Sequence, residues 1–155
     1  MGRVAELWRY PVKSMAGERL VVADVSWHGV AGDRRWAFVR PGLVRSDFPW
    51  LTIRERSDMA RYRPRIADPD RPDRSRTVVA APDGRELDIT DPALAEELGA
   101  GVTLIKQNRG VFDAAPLSLI TTRTAGDLSA AAGLECCGWA GWRCASTGAT
   151  SAASW

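Results

Sequence analysis

Cysteine is missing from the first 135 of the 155 residues, and the three cysteines then fall together at Cys136, Cys137 and Cys144. An odd count with two of them adjacent gives neither a disulfide framework nor a zinc-ligand spacing. Histidine is nearly absent as well. The single one, His28, lies in a glycine-bearing turn and reads first as a solvated side chain. No Ser-His-Asp set, metal-ligand cluster, Walker loop or GxGxxG pattern occurs. Long apolar runs are lacking too, and none approaches the roughly 18 residues that a membrane helix needs. The opening Met1 to Glu6 has no signal-peptide core, and Glu6 stands where a myristoylation motif wants Ser or Thr. A cytoplasmic protein without a membrane partner is expected. Charge of one sign is not in excess: 21 Lys and Arg face 19 Asp and Glu, for a net charge of +2. The basic residues, mostly Arg, are scattered among acids, which argues against nucleic acid as a partner.

What is present is short strands and turns. Arg3 to Tyr10 alternates apolar and polar residues, as a half-buried strand does, and Pro11 ends it. A loop from Pro11 to Gly17 leads to a second expected strand over Glu18 to Trp27. The turn His28 to Asp33 leads to a third over Arg34 to Arg40. Leu51 to Arg54 is a further short candidate, and residues 55 to 76, rich in Arg, Pro and Asp, read as irregular and exposed.

Two strands over Thr77 to Ala81 and Arg85 to Ile89 flank Pro82-Asp83-Gly84, a hairpin signal. Asp91-Pro92 predicts a capped helix through Leu98, stopped by Gly99. Strands over Gly101 to Lys106 and Pro116 to Thr121 follow, then an Ala-rich helix over Thr124 to Ala132, with Thr124 and Asp127 spaced as a capping box. Many strands and two short helices predict a mainly β architecture, barrel or sandwich-like. Trp8, Trp27 and Trp36 sit on strand-like segments and are expected in its core.

Several local patterns stand in a particular order. Leu7-Trp8-Arg9-Tyr10-Pro11-Val12-Lys13-Ser14 comes first, then Gly29-Val30-Ala31-Gly32-Asp33-Arg34-Arg35-Trp36. The Pro82-Asp83-Gly84 hairpin and the helix before Gly99 follow, then Phe112 to Thr121, and the helix ending at Gly133-Leu134. This order resembles the MOSC family, named for the C-terminal domain of molybdenum-cofactor sulfurase, and in particular its N-terminal β-barrel domain. The chain is similar there to the mitochondrial amidoxime-reducing component and its bacterial relatives.

The resemblance implies a MOSC N-terminal β-barrel over residues 1–106, the start of a MOSC domain over 107–134 and an atypical tail over 135–155. It implies molybdenum-cofactor (molybdopterin) binding, in an oxidoreductase that reduces N-hydroxylated compounds or in a sulfur carrier. Its partners would be that small-molecule cofactor and, in full-length relatives, an electron-donor protein. Pyridoxal phosphate is a further family-level association. By the same resemblance Lys13, Ser14 and Arg34 match cofactor-contacting positions, and Thr121 and Thr122 match a polar pair beside the pterin.

The residue chemistry agrees with an anionic ligand. Lys13 and Ser14 follow a strand in a loop, where N–H groups and a hydroxyl can surround an oxyanion. Arg34 offers a planar fork to a phosphate or a pterin carbonyl. The alternative reading of Lys13, Ser14 and Arg34 is structural: a solvated lysine, a serine that supports a turn, and an arginine paired with Asp33 or Asp24.

From Cys136 onward the only charged residue is Arg143, where the overall composition leads one to expect about five. Three of the seven tryptophans, Trp139, Trp142 and Trp155, lie there with all the cysteines. Such a break is what a frameshift in a GC-rich gene would produce, with a natural, weakly ordered tail as the alternative. The expectation is a MOSC domain left incomplete, without the cysteine that holds molybdenum, no catalytic residue assigned, and a poorly packed segment over residues 136–155. A non-catalytic β-barrel interaction module and a non-functional frameshift product are the rival readings.

Overall fold

The computed structural model describes residues 2–133. The expectations for the cysteine- and tryptophan-rich segment after Leu134 lie outside the described residues. Two compact units are present, one spanning Glu6–Leu117 and the other holding residues 2–5 and 118–133. Among the described residues no helix is long and apolar enough to cross a membrane.

The larger unit is built from nine short strands and one helix, so the mainly β expectation holds. Strands β1 (Leu7–Arg9) and β2 (Glu18–Leu20) pair antiparallel, as do β3 (Val25–Ser26) and β4 (Gly29–Val30). Strand β5 (Trp36–Val39) pairs with β9 (Thr103–Lys106), placing Phe38 opposite Leu104. Strands β6 (Arg63–Ile66), β7 (Thr77–Ala80) and β8 (Glu86–Asp88) form a three-stranded sheet in that order. The hairpin of β7 and β8 around Pro82-Asp83-Gly84 is the expected one. Helix α1 (Pro92–Leu98) is capped as expected, the Asp91 carboxylate accepting from the Ala93 N–H at 2.9 Å.

These elements enclose a core led by Val12, Phe38, Met59, Val79, Ile89, Leu94 and Leu98, all nearly solvent-free. The Trp36 indole N–H donates to the Thr77 hydroxyl at 3.2 Å and ties β5 to β7. Truncating such a residue, Phe38→Ala for example, costs about 3–5 kcal/mol through lost burial and the cavity left behind.

Several expectations need correction. The strand expected over Glu18 to Trp27 is two strands, because Val21 and Val22 are both exposed and no sheet face claims either. Arg34 and Arg35 precede β5 rather than belonging to it. Leu51 to Arg54 turns instead of extending. Residues 55–76 are not irregular throughout: a 3-10 turn over Ser57–Arg61 buries Met59, and β6 buries Pro64 and Ile66. Trp27 is 76% exposed, stacked on His28 and faced by Arg109, so it is no core residue, whereas Trp36 packs against the core.

No strand forms over Pro116 to Thr121. Helix α2 runs over Thr122–Ala131, starting earlier than expected. Its cap is Thr121, whose hydroxyl accepts from the Thr124 N–H at 3.0 Å, so Thr124 sits inside the helix and not at its cap.

Candidate functional site

The chain from Tyr10 to Lys13 runs beside Arg34 to Trp36. The Arg34 N–H donates to the Tyr10 carbonyl at 2.6 Å, and the Lys13 N–H donates to the Trp36 carbonyl at 2.8 Å. Val12 and Trp36 make a parallel bridge between these donors. Two motifs more than twenty residues apart are thereby laid side by side, with Lys13 at one end and Arg34 at the other.

Both motifs bend the backbone at a price. Ser14 has φ 66° and Arg34 has φ 46°, and among the described residues they are the two non-glycine residues with positive φ. The left-handed region costs an L-residue roughly 1–2 kcal/mol, because Cβ crowds the following carbonyl. Such strain persists where surrounding structure over-determines it, and it clusters at ligand clamps and active sites. Gly29, with φ 93°, makes a related bend, and a Cβ there would stand 2.7 Å from the Pro116 carbonyl oxygen. The turn can approach residue 116 because residue 29 has no side chain.

Lys13 is buried, 5% exposed, and its amine donates to the Asp113 carboxylate at 2.6 Å. The Asp113 side chain is itself 68% exposed. Arg34 donates through Nε to Asp33 at 2.7 Å and through Nη2 to the Pro116 carbonyl at 3.4 Å, and its guanidinium lies 4.5 Å from the Phe112 ring centre. The two cations therefore meet the same short segment, Phe112 to Pro116. That segment starts from a bond between the Val111 N–H and the Arg34 carbonyl at 2.8 Å. Of the two structural alternatives for Arg34, the pair with Asp33 is present.

Asp33 is the hinge of this arrangement. Its second oxygen accepts the Tyr10 N–H at 2.6 Å, so one buried carboxylate holds both the Tyr10 backbone and the Arg34 guanidinium. Burial holds its carboxyl above the usual carboxylate range, while Arg34, the Tyr10 N–H and Arg9 pull the other way. The Tyr10 phenol is pushed above its ordinary value, first by burial and then by the Asp33 charge. Behind it, Arg9 and Glu18 form a buried pair at 2.8 Å, and Glu18 also accepts the Ile66 N–H at 3.3 Å.

A cleft of about 190 Å³ opens next to the Gly29–Asp33 turn, lined by Ser26, His28, Arg35, Asp73, Asn108 and the turn itself. Neither Lys13 nor Arg34 lines it. Its arginine is already committed, to Asp73 at 2.5 Å and to the Gln107 carbonyl at 2.8 Å. Lys13 and Arg34 are paired as well, but with partners in the turn and in the Phe112 to Pro116 segment rather than across this cleft.

Of the five residues singled out from the sequence, Lys13, Ser14 and Arg34 belong to the larger unit. Thr121 and Thr122 belong to the smaller one, where the Thr121 hydroxyl is occupied as a helix cap and also shares a hydrogen bond with the Thr124 hydroxyl at 2.8 Å. Asp113 escaped the sequence reading as a site residue. The available signal was that it is the only charge between Val111 and Thr122, so an isolated acid in an apolar stretch needed a partner. Among the described residues no group of three His, Cys, Asp or Glu side chains could hold a metal ion, and Cys136, Cys137 and Cys144 lie outside them.

No curated protein and no solved structure matches the chain significantly. A family model described as the MOSC N-terminal beta barrel domain matches residues 1–114, the stretch that carries Lys13, Ser14, Arg34 and Asp113. The family is associated with the molybdenum cofactor, although this match concerns its N-terminal domain alone. Covering well over half of the sequence, the match establishes that this chain belongs to the MOSC N-terminal β-barrel family.

Proposed function

We propose that Lys13, Ser14 and Arg34 bind the anionic, phosphate-bearing pterin of the molybdenum cofactor. The observation that carries this reading is the backbone strain at Ser14 and Arg34, which falls in both family motifs and beside the buried Lys13 amine. The Lys13 ammonium supplies a point charge in a site shielded from water, where each interaction with an anion is stronger than at the surface. Arg34, turned by its left-handed backbone toward the same segment, offers a planar fork to a phosphate or a pterin carbonyl. The Ser14 hydroxyl completes the donor set of this unit.

These donors fit the anionic part of the group. They do not ligate molybdenum, which needs a soft thiolate that the described residues lack. When bound, the cofactor would supply oxygen-atom exchange with N-hydroxylated compounds, with an electron-donor protein as second partner, or would carry sulfur. In this chain the residues hold and orient the pterin, and residues 2–133 carry no assigned catalytic group.

Expression in cells that make the cofactor, followed by fluorescence measurement of the released, oxidised pterin, tests the reading without an activity assay. Wild-type protein should carry pterin, and Lys13→Met and Arg34→Met should lose most of it. Equal pterin in Lys13→Met and wild type would sink the proposal.

A second reading, a non-catalytic interaction module, draws on the exposed Val21, Val22, Val25 and Trp27. Apolar side chains gathered on one short stretch are a surface for a partner protein. A chain that carries no pterin under cofactor supply, and whose self-association is abolished by Val22→Asp with Trp27→Asp, would favour it.

A further inference from the structure

We infer that Asp113 determines the anion specificity of this site: it is a tethered carboxylate that occupies the Lys13 amine until an anion with more charge and more oxygens displaces it. The inference rests on the cofactor-binding reading and adds to it a residue and a selectivity.

Three features of the pair carry it. The first is an imbalance of burial: Lys13 is 5% exposed, while the Asp113 side chain is 68% exposed. The lysine cannot leave, but the aspartate can return to water at little cost, since it keeps most of its hydration already. The second is unsatisfied donor capacity. An ammonium has three N–H donors, yet among the described residues the Lys13 amine makes one side-chain hydrogen bond, the one to Asp113. A buried amine with two donors to spare is short of acceptor oxygens. The third is the way the segment is held. It is fastened near its ends, by the Val111 N–H to the Arg34 carbonyl and the Pro116 carbonyl to the Arg34 guanidinium, while Asp113, Ala114 and Ala115 between them are exposed. The middle can move while the ends stay in place.

Selectivity follows from competition. Asp113 is part of the chain, so it faces Lys13 at an effective concentration on the order of millimolar or above. A free monocarboxylate offers the same single charge and the same two oxygens, and it also loses translational freedom on binding. It gains nothing by the exchange. A phosphate monoester carries about −1.5 to −2 charge at neutral pH and three terminal oxygens, so it can fill the spare donors of the Lys13 amine. The site thus admits phosphate monoesters and refuses simple carboxylates, and the carboxylate at position 113 sets that threshold.

The test is a titration of the full chain at neutral pH and constant ionic strength, with sodium phosphate and with sodium acetate as probes. The backbone amide shifts of Lys13 to Met15 report binding. Wild-type protein should bind phosphate and not acetate. Asp113→Asn, which keeps size and removes the charge, should bind phosphate about tenfold more tightly and begin to bind acetate. Asp113→Ala should behave like Asp113→Asn, which excludes a new contact from the amide. Asp113→Asn with unchanged phosphate affinity, or wild-type protein that binds acetate as well as phosphate, overturns the inference and leaves the cofactor reading standing. Phosphate binding that survives Lys13→Met, or that is absent from wild type and Asp113→Asn alike, overturns the cofactor reading itself.

Discussion

The Arg9 guanidinium and the Glu18 carboxylate meet at 2.8 Å inside the protein, their side chains 4% and 18% exposed, directly behind the turn that presents Arg34. Glu18 serves two masters there, since it also accepts the Ile66 N–H at 3.3 Å and so joins β2 to β6 where no strand ladder does. Arg9 in turn donates to the Ala31 carbonyl at 3.2 Å, inside the Gly29–Arg34 motif, and one of its buried nitrogens has no partner among the described residues.

This asymmetry predicts unequal effects of breaking the pair. Glu18→Leu leaves a buried guanidinium without its counter-charge and an N–H without an acceptor, and should cost about 3–5 kcal/mol. Arg9→Met leaves a carboxylate that keeps the Ile66 N–H and some water, and should cost about half as much. Replacing both with apolar residues should recover most of the loss. Urea midpoints of the two single variants and the double variant check the order, and equal losses in the two single variants would contradict it.

A second prediction concerns Gly110. A Cβ at this position would run into the Phe112 ring and stand 2.8 Å from the Asp33 carbonyl oxygen. Gly110→Ala must therefore push Phe112 away from the Arg34 guanidinium or shift the Asp33 turn. It should destabilise the protein by roughly 1–3 kcal/mol, as overpacking generally does, and should broaden the Arg34 Nε–H resonance. An unchanged melting temperature with an unchanged Arg34 signal would show that the segment has more room than these distances allow.

Much of this was legible from sequence, and the failures have physical causes. The β7–β8 hairpin and helix α1 were readable because their punctuation is local: Pro82-Asp83-Gly84 and Asp91-Pro92 act within a few residues. Strand β6 was not, because Pro64 reads as a strand breaker. In fact β6 lies at the sheet edge, where a missing N–H leaves no ladder bond unmade, and Arg63, Pro64, Arg65 and Ile66 alternate out and in. The start of α2 was misplaced because Thr121 and Thr124 are both plausible caps, and only the backbone decides between them. In the site, Lys13, Ser14 and Arg34 were visible as motif residues. Their strained φ values, and the bond from Lys13 to a residue one hundred positions away, were not.

A third prediction is an alkaline weakening of the fold. Burial, with the Asp33 charge adding, holds the Tyr10 phenol above its ordinary value of 10.0, and burial with Glu97 does the same for Tyr62. Below pH 10 both the folded and the unfolded chain keep these protons. As the pH rises past 10 the unfolded chain ionises first, so stability falls until the folded phenols ionise as well. Absorbance of tyrosinate in the folded protein should rise well above pH 10, and the urea midpoint should drop over the same range. Tyr10→Phe should reduce the slope, and an identical slope in that variant would show that Tyr10 is not responsible.

The last prediction separates strain from chemistry at residue 14. Ser14 sits at φ 66°, where glycine is at ease and serine is not. Ser14→Gly removes the crowding of Cβ but makes the unfolded chain more flexible, so the two effects partly cancel. The net result should be a gain of about 0.5–1 kcal/mol in stability, since the left-handed penalty of roughly 1–2 kcal/mol exceeds the flexibility term. Ser14→Ala keeps the Cβ and its crowding, and should leave stability within about 0.5 kcal/mol of wild type, as a half-buried residue without a side-chain partner would. Both variants lose the hydroxyl, so both should carry less pterin after expression with cofactor supply. Stability and pterin content thus move apart in Ser14→Gly: a firmer fold that holds its ligand less well. If Ser14→Gly carries as much pterin as wild type, the hydroxyl has no part in binding. If it is less stable than Ser14→Ala, residue 14 carries no strain for a ligand to exploit.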